Sequence, residues 1–137
     1  TQLTLSSASA QTIEPSEQTI QQAATLFEQG VAAADKGDFQ QAIHNYTQVI
    51  ALTPNHAGTY YNRGNAYSEL KDNSSAIRDY TQAIALDPNF AEAYTNRAVS
   101  LALTNDYRNA TRDARKACSL GNCGMLELLG NNGRLRD

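Results

Sequence analysis

A chain of 137 residues and 14.9 kDa is long enough for one domain with a core of its own. Hydrophobic residues make up 41% with no Trp and only 3 Pro, a balance of helix formers over breakers that favours helices over a sheet. No run of about 18 apolar residues is present to span a membrane, and a net charge of −3 argues against a nucleic-acid footprint. The charge is nevertheless graded: residues 1–56 set Lys36 against Glu14, Glu17, Glu28, Asp35 and Asp38, whereas 97–137 carry seven cations against four acids.

The chain opens at Thr1 on a small, polar stretch, TQLTLSSASAQT, without helical periodicity. Its Ala8-Ser9-Ala10 has the A-x-A spacing that signal peptidases favour. Residues 1–14 are therefore expected to be a flexible segment left from an export signal, which places the protein outside the cytoplasm (periplasm, lumen or secreted). The alternative is a Ser/Ala-rich linker on a cytoplasmic protein.

From residue 23 onward the sequence repeats every 34 residues. Aligning 23–56, 57–90 and 91–124 places Gly30, Gly64 and Ala98 in one column, and likewise Asp38, Asp72 and Asp106; Ala42, Ala76 and Ala110; and Tyr46, Tyr80 and Ala114. AIHNYTQVIALTPN and AIRDYTQAIALDPN match almost residue for residue. A helix starting near Pro15-Ser16 is expected to run into the first repeat, giving a unit over 15–56. In the second unit, 57–90, Tyr60, Gly64 and Tyr67 lie on one face of a first helix. Lys71-Asp72-Asn73 then marks a turn, and Ala76, Tyr80, Ala83 and Ile84 line a second helix that Asp87-Pro88 stops. Gly64 and Ala76 are expected to let the two backbones approach closely. A third unit spans 91–121, Gly121 suits its helix end, Met125-Leu126-x-Leu128-Leu129 predicts a capping helix over 122–130, and 131–137 reads as a frayed tail. The fold class is all-α, antiparallel helix pairs stacked as a right-handed superhelical solenoid.

Tyr60-x2-Arg63-Gly64-x2-Tyr67, then Ala76-x3-Tyr80 and Pro88, resembles the tetratricopeptide (TPR) signature, departing at Arg63 where that signature has Leu. Leu26, Gly30, Ala33, Ala42, Tyr46 and Pro54 follow it in the first unit, with Ala33 for the usual aromatic. The third keeps Tyr94 and Ala110 but has Ala98 for Gly and Ala114 for the aromatic. The resemblance implies a protein-interaction scaffold whose first helices line a concave groove. Its groove positions fall here on Phe27, Glu28, Val31 and Asp35; Tyr61, Asn62, Asn65 and Glu69; and Glu92, Asn96 and Val99. Asparagines suit the backbone of an extended peptide, and Phe27 and Tyr61 suit its apolar side chains. TPR domains that grip a chaperone's C-terminal carboxylate use Lys and Asn, then Asn, then Lys and Arg. This chain offers Phe27 and Val31, then Asn62, then Glu92 and Asn96, a neutral to mildly acidic groove suiting a partly apolar or basic segment.

No catalytic constellation is apparent: His44 and His56 lack partners at ligand or triad spacing, and no phosphate-binding loop occurs. The expectation is a non-enzyme without cofactor or metal, docking a protein or peptide partner and no nucleic acid, as an assembly factor of a larger complex. The alternative is a self-association module stacking chains through Met125, Leu126 and Leu129. Cys118 and Cys123 flank the Gly121 turn, so a disulfide is expected there, against two free thiols as the other reading. Arg108, Arg112 and Arg115 share one face of the last repeat helix and form a candidate basic docking face, against an ordinary solvated surface. N-x-S/T matches at Asn45, Asn73 and Asn109 fall in or at helices and are discounted as glycan sites.

Overall fold

A computed structural model describes residues 14–137, and the A-x-A stretch at Ala8–Ala10 lies outside the described residues. Seven helices and no strand occur among them: α1 Glu17–Asp35, α2 Phe39–Leu52, α3 Ala57–Glu69, α4 Asn73–Leu86, α5 Ala91–Leu103, α6 Tyr107–Ser119 and α7 Gly124–Asn131. Their starts follow from side-chain caps. Ser16, Asp38, Asp72 and Asp106 accept the backbone N–H groups of Thr19, Gln41, Ser75 and Asn109, so three of four caps recur at the 34-residue interval.

The turns inside each pair recur as well. Asp38, Asp72 and Asp106 donate their backbone N–H to Ala33, Tyr67 and Leu101 across 2.9 Å, closing the helix end over one left-handed residue. That residue is Gly37 in the first turn but Lys71 and Asn105, at φ 63° and 64°, in the next two. Pairs α1–α2, α3–α4 and α5–α6 stack through α2–α3 and α4–α5, with α1, α3 and α5 also touching in succession.

The glycine column has a more specific cause than backbone approach. A Cβ on Gly64 would stand 2.8 Å from Tyr80 Cε1, and one on Gly30 would stand 2.6 Å from Tyr46 Cε1. What these glycines admit is the edge of a fully buried tyrosine ring. In the third repeat both halves change together: Ala114 removes the ring, Ala98 can carry its methyl, and Met125 and Leu129 of α7 pack into that cluster with Ala110. The apparent degeneracy of repeat three is therefore a matched substitution, and α7 is the element that completes its core.

The tail after α7 runs back over α6, where Arg136 N–H donates to the buried Thr111 hydroxyl at 3.0 Å and Arg134 lies over the Tyr107 ring. One expectation needs correction. Met125 and Leu129, offered for stacking between chains, are 7% and 2% exposed inside the chain's own core. The two cysteines are bonded to each other, tying the end of α6 to the start of α7.

Candidate peptide-binding groove

Because α1, α3 and α5 are neighbours, residues spaced by 34 form rows that cross all three helices: Phe27, Tyr61 and Thr95; Val31, Asn65 and Val99; Asp35, Glu69 and Leu103. Cavities run along this face. One of 440 Å³ between Ile20, Ala24, Phe27, Val49 and His56 is largely apolar. A second of 240 Å³ is bordered by Val31, Asp35, Asn62, Asn65 and Glu69. A third of 360 Å³ is bordered by Asn65, Ser68, Glu69, Tyr80, Asn96 and Val99.

The aromatic residues here are anchored from below. Phe27 packs against Tyr46 and edge-on to His56, each 5.7 Å between ring centres. Tyr61 lies 4.8 Å from Phe90 and 6.0 Å from Tyr80. His56 itself is fixed by a 2.8 Å bond between Nδ1 and the Thr59 hydroxyl, and His44 is exposed.

The asparagines are less free than a row of open amides. Tyr80 Oη donates to Asn65 Oδ1 at 2.7 Å, and Asn96 Nδ2 donates to the same oxygen at 2.9 Å and to Tyr61 Oη at 3.1 Å. Asn65 and Asn96 thus join the second repeat to the third, leaving the Asn65 NH₂ and the Asn96 Oδ1 as the groups with capacity to spare. Burial raises the Tyr80 phenol pKa, with Tyr61 adding to it and Asn96 and Ser68 opposing it. Tyr46 is raised by burial and then by Asp35, against a hydrogen bond from Asn62. Both phenols therefore stay neutral across the ordinary pH range.

Glu92 is exposed in the first turn of α5, Val99 is 37% exposed, and Glu69 is exposed at the end of α3. The candidate basic face is a separate surface. Arg108, Arg112 and Arg115 are all exposed on α6, and Arg115 reaches Asp137 of the tail at 2.9 Å. Asn45 is buried and Asn109 bonds Asp106, as helical positions require.

One set of residues escaped the sequence reading. Arg63 donates through Nε and Nη2 to both oxygens of Asp79, at 2.7 and 2.8 Å, and through Nη1 to the Thr47 hydroxyl at 3.1 Å. Arg97 repeats this with Asp113 and Thr81 at 2.6, 2.8 and 3.0 Å. Each arginine also lies over tyrosine rings of its own helix, Arg63 over Tyr60 and Tyr67 and Arg97 over Tyr94. The guanidinium therefore bridges the second helix of one repeat to that of the next, away from the groove. Thr47/Thr81, Arg63/Arg97 and Asp79/Asp113 each recur at 34 residues, which was the available signal.

Tetratricopeptide repeat models match residues 57–90 and 79–112, and a TPR repeat model matches 30–71. No curated protein matches the sequence. Among solved structures, the Arabidopsis OM64 TPR domain is 26% identical, with 85% of this chain and 97% of that one covered at a TM-score of 0.79. The second TPR domain of human RPAP3, in complex with the HSP70 peptide SGPTIEEVD, is 27% identical over 82% and 96% at 0.77. The TPR2B domain of yeast Sti1, in a complex with pHsp70, is 27% identical over 82% and 90% at 0.72.

Proposed function

Since the chain belongs to the tetratricopeptide repeat family, with three repeats and a capping helix, we propose that it is a protein-interaction scaffold, not an enzyme, that holds an extended peptide of a partner across α1, α3 and α5. The observation that carries this reading is the run of cavities along those helices, edged by pinned amides with unused hydrogen-bonding capacity beside half-buried aromatic rings. Fixed groups of this kind bind with little loss of side-chain freedom. The structural neighbours with bound chaperone peptides support the same use of the fold.

The test is site-specific photo-crosslinking in extract from the source organism. A photoreactive residue at Val99 should capture a discrete partner, and one at Arg112 should not. Capture from Arg112 alone would move the binding surface to α6 and refute the groove. The Cys118–Cys123 bond supports placement in an oxidising compartment. Thiol labelling of the protein taken directly from cells checks it, and two free thiols would count against it.

A further inference from the structure

We infer that the partner segment is basic at one point and aliphatic about three residues away, with a Lys or Arg over Asp35 and Glu69 and an aliphatic side chain over Val99 and Leu103. This rests on the groove reading above and assigns its chemistry. Asp35, Glu69 and Leu103 occupy equivalent positions at the ends of α1, α3 and α5, and all three are exposed. Asp35 and Glu69 border one cavity together, and Glu69 also borders the next, beside Val99.

Among the described residues, neither carboxylate is in an ion pair. The ion pairs among the described residues are Arg63–Asp79, Arg97–Asp113 and Arg115–Asp137. Arg63 and Arg97 are the arginines of α3 and α5, and both are held between the second helices. Lys36 directly follows Asp35 and Lys71 lies two residues after Glu69, and both sit in the intra-repeat turns and form no ion pair with either acid. Glu28 and Glu92 add two more exposed acids to the same helices. A cationic side chain arriving at Asp35 and Glu69 therefore meets two carboxylates that no ion pair engages, which sets both its attraction and its register.

On the third helix the row changes character. Leu103 is 62% exposed and Val99 37%, an aliphatic pair with no covering element. Packed helix axes are about 8–10 Å apart and an extended chain advances about 3.3 Å per residue. One such spacing, the least that separates Glu69 from Leu103 on successive first helices, is spanned by about three residues. A segment such as SGPTIEEVD would instead bring its own carboxylates against this acidic row.

An immobilised positional-scanning library of blocked octapeptides, bound by the purified chain, tests the inference. The expected profile favours Lys or Arg at one position and Leu, Ile or Val three residues away, and disfavours Asp and Glu. Asp35→Asn/Glu69→Gln should lower the basic preference by about tenfold and leave the aliphatic one in place. Leu103→Ser should do the reverse. Binding that is indifferent to charge, or that prefers acids, yet is lost in Val99→Arg, overturns this assignment and leaves the groove standing. Binding that Val99→Arg does not affect, or no retained peptide at all, overturns both.

Discussion

Gly64→Ala is the sharpest test of the packing described above, because two effects of opposite sign meet there. On an open helix face this change stabilises by about 0.5–1 kcal/mol, through the backbone entropy that glycine loses on folding. Here the new methyl would stand 2.8 Å from Tyr80 Cε1, about 1 Å inside normal carbon contact. The ring cannot swing away, being 1% exposed and held by its hydroxyl on Asn65. Overpacking of about 1–3 kcal/mol should then win, for a net loss of about 1–2 kcal/mol. Tyr80→Ala alone should cost about 3–5 kcal/mol. Once the ring is gone, adding Gly64→Ala should recover about 0.5–1 kcal/mol, as the Ala98/Ala114 pair of repeat three implies. Urea unfolding followed by circular dichroism gives each value in a double-mutant cycle. Should Tyr80→Ala leave too little folded protein, Ala98→Gly provides the same comparison in the ringless repeat, with an expected cost of about 0.5–1 kcal/mol. A stabilising Gly64→Ala in the otherwise native chain would refute the ring-edge argument.

Arg63→Leu restores the residue of the family signature yet should destabilise by about 2–4 kcal/mol, since it strands a carboxylate that is only 5% exposed. Arg63→Leu/Asp79→Leu should recover most of that loss, and simple additivity in the same unfolding assay would refute the clamp. Lys71→Gly should raise stability by up to about 1 kcal/mol by relieving a left-handed residue, read as a higher urea midpoint. Reduction of the Cys118–Cys123 bond should cost about 2 kcal/mol and loosen α7 first, visible as faster amide exchange over 124–131. Asp72 and Asp106 lie below the usual carboxylate pKa, owing first to side-chain bonds from Ser75 and Asn109 and then to backbone N–H groups. Their contribution is complete above the ordinary value of 3.8 and is lost as pH falls through the native values. Asp72→Asn/Asp106→Asn should flatten the melting-temperature profile below about pH 4 and leave its slope near neutrality unchanged.

Much of this fold could be read in the sequence because its periods are local. Asp38, Asp72 and Asp106 mark helix starts by bonding three residues ahead, and Pro54 and Pro88 mark where the second helices stop. The groove positions follow from the family resemblance, and the repeat interval carries each of them from one first helix to the next. What escaped depends on contacts between repeats. Arg63 was read against the family's leucine, and its partners lie sixteen residues to either side on two different helices. Asn65 and Asn96 looked open because the bonds that Asn96 donates run from one repeat to the next. Ala98 and Ala114 looked like decay when taken singly, since their compensation needs Met125 and Leu129, which follow outside the repeat. The tail's hold on Thr111 has no periodic signature at all.

The clamp also has a polarity. Each seam takes a threonine from the upstream repeat and an arginine from the downstream one, a head-to-tail contact of the kind that propagates into open filaments when nothing interrupts it. Both outer faces are blunted. Gln29 stands in the first repeat where Arg63 and Arg97 stand in the others, and Arg115 occupies the position of Thr47 and Thr81. A second copy stacked on α6 in the same register would bring Gln29 to a cation already paired with Asp137. The groups that make the joint between repeats are therefore replaced at the equivalent positions on the outer sides of the first and third repeats.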